Sequence, residues 1–335
     1  MRSDRAEVWR LAATAGIIAG VLMPAAGARA GQVPQTNISN GVVKAKIYLP
    51  DAEKGYYRGV RFDWSGVVPS LTYQGHEFFG QWFAKYDPLL NDAIMGPVEE
   101  FRGQEGGEGF AEAKPGGLFV KIGVGVLRRP DAEPYSFFRT YTLVNPGRWI
   151  VRPAADHVDF VHELNTGEGF SYQYTKTLRL PRAKAELVIE HALKNTGTRV
   201  IDTDVYNHDF YMLDHLPTGP DVRVKFLFPP KAKDKVTEPA EFSGNEIHYQ
   251  RELVGDRESA AGELVGFSDK VLDNDIRVEN SKAGIGVRET GDQPIAKLYF
   301  WSTKTTVCPE VYVHVHAEPG KTFKWRTAYE FYLLK

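Results

Sequence analysis

Asn207, His208 and Asp209 follow one another inside an aromatic run, with Tyr206 before them and Phe210 and Tyr211 after. An ionisable group held between rings is a common way to build a sugar site. Rings cover the apolar faces of a sugar while titratable groups exchange protons with its hydroxyls. His208 is therefore the first catalytic candidate; the alternative is a strand histidine whose nitrogens are satisfied by backbone. The second candidate, Glu310, lies far downstream in Val307-Cys308-Pro309-Glu310-Val311-Tyr312. Beside a proline at the start of a strand, a carboxylate can be pinned while pointing into a cleft. Its alternative is a surface acid at a strand edge.

Other chemistries lack apparatus. Gly123-Val124-Gly125 has no third glycine and no helical pattern after it, so it reads as a strand whose glycines admit close backbone approach, not a dinucleotide loop. His314 and His316 share one face of a strand, but no third ligand stands at a recognisable spacing, and they read as ordinary strand histidines. No H-E-x-x-H, G-x-S-x-G or Walker sequence occurs. The single cysteine, Cys308, has no catalytic signature around it and reads as a buried apolar residue.

The elements that must position these residues are strands. Apolar and polar residues alternate through Arg199 to Val205, the period of a half-buried strand. Similar short runs, punctuated by Gly, Pro and Asn, are expected at 42–49, 60–64, 70–73, 118–127, 135–144, 149–153, 158–164, 172–180 and 185–193, then at 222–228, 296–302, 310–316 and 323–334. Their spacing predicts an all-β protein, one large antiparallel β-sandwich over residues 31–335. Two stretches are too long for hairpin connections. Residues 86–117, rich in Gly, Pro and acid, are assigned to the rim of the site, and 229–275 receive no assignment.

Arg2, Arg5 and Arg10 precede a small, apolar run from Leu11 to Ala28, and Ala28-Arg29-Ala30 has the small-x-small form of a signal-peptidase site. Residues 1–30 are read as a removed signal peptide, which implies a secreted or periplasmic protein with no membrane association after cleavage. Losing four arginines and two acids takes the formal charge from −2 to −4. No block of basic residues remains, so a nucleic-acid partner has no electrostatic basis.

The segment Tyr206-Asn207-His208-Asp209-Phe210-Tyr211, an N-H-x-F/Y pattern, is joined by a late C-x-E segment, Cys308-Pro309-Glu310, a Pro319-Gly320 turn and a final aromatic strand. This combination resembles the aldose 1-epimerase, or galactose mutarotase-like, superfamily, and the likeness extends weakly through the strand order after residue 30. The resemblance implies a supersandwich with a sugar site on its concave face, a sugar or oligosaccharide ligand, and no cofactor. It makes His208 the acid that protonates the ring oxygen and Glu310 the base that takes the proton of the anomeric hydroxyl. The two are expected to face one cleft with room for a pyranose ring between them. One departure concerns an early loop where many members carry a histidine before glycine: here Gly107-Glu108-Gly109-Phe110-Ala111-Glu112 offers Glu108 and, where an arginine would follow, Glu112. An ionised acid cannot donate to a sugar oxygen. Either the site raises the pKa of Glu108, or contacts are rebuilt through His76 or Arg61. Trp301 is a candidate stacking platform or else a core tryptophan. Two other readings stay open. One is a non-catalytic carbohydrate-binding protein. The other is a polysaccharide lyase or glycosidase, the glycosidase pairing Glu310 with Glu100 or Glu108.

Overall fold

Burial alternates along several strands of the computed structural model, which describes residues 33–103, 106–166, 169–255 and 257–335; His157–Leu164 is an example. Such strands hide one face and need a second layer to hide it against. Two antiparallel sheets provide the layers. The larger has ten strands in the spatial order Ala240–Ser243, Glu246–Tyr249, Val222–Phe226, Asp275–Asn280, Ile285–Gly291, Thr322–Leu333, Glu186–Asn195, Tyr172–Arg179, His157–Leu164 and Arg148–Pro153. The other has six: Lys231–Ala232, Ser259–Val265, Lys297–Thr303, Thr306–Ala317, Ile201–His208 and Val98–Phe101. A four-stranded and a three-stranded sheet complete the set. Helix among the described residues amounts to two 3₁₀ turns, Leu213–His215 and Val271–Asp273, and none is long and apolar enough to cross a membrane. This is the all-β antiparallel sandwich that the periodicity predicts. The signal peptide expected at residues 1–30 lies outside the described residues.

The core between the layers decides which way the site faces. Val205, Val313 and Val315 of the six-stranded sheet cluster with Tyr174, Leu193 and Trp325 of the ten-stranded sheet. Glu99 also turns inward, where it bonds Lys176 and accepts from or shares a proton with His191 Nε2 at 2.8 Å. Because side chains alternate along a strand, Tyr206 and His208, and Glu310 and Tyr312, occupy the opposite face.

Several expected elements differ. Within 86–117, Val98–Phe101 is a fully buried strand of the six-stranded sheet, not rim; its two glutamates are neutralised by cations from other segments. Residues 229–275 hold four short strands. The 118–127 run is a hairpin, Leu118–Lys121 and Gly125–Arg128, turned at Gly123 with φ +78°, where a Cβ would stand 2.6 Å from Asp63 Oδ1. Residues 60–64 form no strand: they lie along the edge of Val98–Phe101, with Asp63 N–H donating to Glu99 O at 2.8 Å, and so cover that edge. Of 135–144 only Thr142–Asn145 is extended into a ladder.

Candidate active site

Register places the two candidates. The ladder between Ile201–His208 and Thr306–Ala317 runs from Ile201 opposite Ala317 to Tyr206 opposite Tyr312, whose rings stack at 4.4 Å. Continued by two residues, the same register sets His208 opposite Glu310. Nε2 of His208 lies 3.3 Å from Oε1 of Glu310, the contact of cross-strand neighbours. Glu310 thus sits inside a long strand rather than at its start. Pro309, with no N–H to offer, is tolerated because the ladder to the His208 strand has already ended there. Gly96 passes so close to the residue after His208 that a Cβ would stand 2.1 Å from the Asp209 carbonyl oxygen.

Both groups line a cleft of about 490 Å³ together with Arg61, Trp82, Arg102, Tyr299 and Trp301. His208 is caged by rings: Phe210 stacks on it at 3.8 Å, and Trp301 and Phe62 meet it edge-on at 5.2 and 5.7 Å. Burial drives its pKa well below the usual histidine value, and the positive charge of Arg61 adds to this. Its Nδ1 has no hydrogen-bond partner among the described residues. Burial also raises Glu310, to about 8, against the lowering pull of Arg61. At neutral pH the pair therefore holds one exchangeable proton, on Glu310, beside a neutral imidazole. Moving it across the 3.3 Å contact gives imidazolium and carboxylate without any change in proton count.

Arg61 is fixed by three bonds: to Glu100 Oε2 at 2.7 Å, to Asp92 Oδ1 at 2.6 Å and to the Tyr206 hydroxyl at 3.0 Å. Glu100, fully buried, is held down at about 2 by Arg61, Lys121 and Arg102, which overcome the opposing effect of burial. The cleft floor is thus a rigid ion network with an aromatic rim.

No family model matches the sequence, and no curated protein does. Solved structures do match. An aldose epimerase homologue from C. elegans aligns at 14% identity with a TM-score of 0.57, over 91% of this chain and 100% of that one. A putative aldose 1-epimerase from Escherichia coli aligns at 12% identity and 0.55, over 90% and 100%. A galactose mutarotase related enzyme from Lactobacillus acidophilus gives 14%, 0.51, 90% and 99%. The fold is galactose mutarotase-like.

Within this mutarotase-like sandwich the sequence candidates separate. His208, Glu310, Arg61 and Trp301 are brought together on one cleft. Trp301 is half-buried and stands edge-on to Trp82 at 5.3 Å, so it is both packed and presented. His76 does not line the cleft; its Nδ1 lies 2.7 Å from Asp214 Oδ2 at the end of the four-stranded sheet. Glu108 lines a separate cavity with Phe170 and Arg199, and burial raises its pKa to about 7. Neither is within the cleft that His208 and Glu310 line. The expected ring-wide gap between His208 and Glu310 is also absent. The ring oxygen and the anomeric hydroxyl share one carbon, so groups serving both belong side by side.

Sequence reasoning missed Tyr312 and Arg102, and took Tyr206 only as a flanking ring. The two tyrosines could have been found by stepping two residues along each strand from His208 and Glu310, which keeps the same face. Arg102 follows a strand that the acidic, glycine-rich stretch concealed.

Proposed function

We propose that this protein is an aldose 1-epimerase-like enzyme that interconverts the anomers of a sugar in an exported compartment. The reading is carried by one observation: a histidine and a glutamate, register-opposed at 3.3 Å, stand together on the wall of an aromatic cleft. In the imidazolium–carboxylate form, Glu310 accepts the proton of the anomeric hydroxyl while His208 Nε2–H donates to the ring oxygen. The C1–O5 bond breaks, its electron pair stays on O5, and C1 becomes an aldehyde. Glu310 is now protonated and His208 neutral, the arrangement favoured by the free site. After rotation about C1–C2, the 5-hydroxyl attacks the other face of the aldehyde, returning its proton to His208 as Glu310 protonates the carbonyl oxygen. Each positioned acid or base contributes on the order of 10²–10⁴ in rate.

The glycosidase pairing finds no support: Glu100 is locked as an anion by three cations, and Glu108 belongs to another cavity. Polarimetry on freshly dissolved α-glucose and α-galactose tests the epimerase reading. Wild type should speed the approach to equilibrium, and Glu310→Gln and His208→Ala should retain only a small residual rate above buffer. Rates equal to buffer alone at high enzyme for both sugars would exclude catalysis on them and leave a sugar-binding role.

A further inference from the structure

The register that sets His208 against Glu310 also builds a second constellation further along the same two strands. His314 faces Asp204, and His316 faces Asp202, on the same sheet face as the cleft. His314 Nε2 lies 3.5 Å from Asp202 Oδ1, and His316 Nδ1 lies 3.0 Å from Asp202 Oδ2. The three potential ligand atoms are all within 4.8 Å of one another. A four-coordinate zinc ion with bonds of roughly 2.0–2.1 Å needs its ligand atoms a little over 3 Å apart, so small side-chain adjustments would admit it. The outward nitrogens are held as well. His314 Nδ1 lies 3.0 Å from Asp204 Oδ1, and His316 Nε2 lies 3.3 Å from Glu318 Oε1. A ligating imidazole whose other nitrogen is fixed by a carboxylate is the usual outer shell of a metal site.

We propose that Asp202, His314 and His316 bind one divalent transition-metal ion, of the zinc, nickel or copper class, with Asp204 and Glu318 as positioning residues. Imidazole donors select such ions over magnesium and calcium, which prefer oxygen. The third ligand that the sequence spacing does not supply comes from across the ladder. The ion would clip the strands of His208 and Glu310 together four to six residues away, roughly 13–20 Å along the strands. The clip should therefore add stability without touching the reacting sugar.

The test is isothermal titration of chelator-treated, untagged full-length protein with Zn²⁺ and Ni²⁺, and with Mg²⁺ as control. Saturable binding of one Zn²⁺ per chain, a higher thermal midpoint with Zn²⁺, and a loss of affinity of ~100-fold in His316→Ala and His314→Ala are expected, with ~10-fold in Asp204→Asn. All five side chains are at least 40% exposed, so the variants should keep the metal-free midpoint. Imidazole NMR spectra of the wild type provide a reading that needs no variant: Zn²⁺ should shift two ring systems and leave the others in place. Absence of saturable Zn²⁺ and Ni²⁺ binding, equal binding of Mg²⁺, or Zn²⁺ affinity unchanged in the double variant His314→Ala/His316→Ala would each overturn the site and leave ordinary ion pairs.

Discussion

Raising the pH should switch the proposed reaction off from one group. Glu310 is nearly inaccessible, and its pKa rises from 4.5 to about 8, a shift that makes charging it in place cost on the order of 5 kcal/mol more than in water. His208 lies well below 6.5. Between those limits the pair holds the one proton that ring opening requires. Above about 8 Glu310 releases it to solvent, and the neutral imidazole is left without the acidic proton that the ring oxygen must receive. The rate constant kcat/KM, measured by polarimetry after subtraction of the buffer rate, should hold level through neutral pH and then fall about tenfold per pH unit, so that roughly a hundredfold is lost between pH 7 and pH 10. Arg61 lowers Glu310 by its positive charge, so Arg61→Met should displace the fall to higher pH. In Glu310→Gln the residual rate should lose the alkaline limb. A profile level to pH 10, or a limb that survives in Glu310→Gln, would refute the shared-proton argument.

Arg61→Met should also destabilise the fold by about 3–5 kcal/mol in urea denaturation, since it removes one of the cations that neutralise the buried Glu100. Trp301→Ala should raise KM several-fold with a smaller effect on kcat, because ring stacking contributes about 0.5–1.5 kcal/mol; an unchanged KM would assign Trp301 to packing alone. His76→Ala should leave kcat/KM within about twofold, its side chain being committed to Asp214 outside the cleft. His162 is buried against Trp149 at 4.1 Å, and burial lowers its pKa to about 4. The unfolded chain therefore binds a proton that the folded one refuses between pH 6.5 and 4. The stability this group contributes is complete above pH 6.5 and falls by about 3 kcal/mol as pH drops through 4; His162→Gln should flatten that part of the urea-denaturation profile.

Local pattern carried most of the fold. Strands such as His157–Leu164 and Glu186–Asn195 announce themselves because one face must be apolar. Val98–Phe101 does not, since its glutamates read as loop; they are buried only because Arg61, Lys121, Lys176 and His191 arrive from distant segments. Conversely, residues 60–64 alternate like a strand yet serve as an edge cover. His208 and Glu310 were legible as residue types, but their contact was not, because it depends on a register fixed by Ile201–Tyr206 and Tyr312–Ala317, which composition does not reveal.

That register also explains why the candidate pair sits where the ladder stops. Up to Tyr206 and Tyr312 the backbone groups of the two strands are spent on each other, and the facing side chains can only pair or stack. Beyond that point Pro309 offers no N–H, and the strands have no ladder between His208 and Glu310. The side chains still meet as cross-strand neighbours, but they do so on the wall of the cleft. The same acid-against-histidine geometry, repeated where the sheet is open to solvent, gives the exposed Asp202–His316 and Asp204–His314 pairs. Burial separates the two outcomes. In the aromatic cage it lowers His208 and raises Glu310, whereas at the exposed end hydrogen bonds to the carboxylates raise His316.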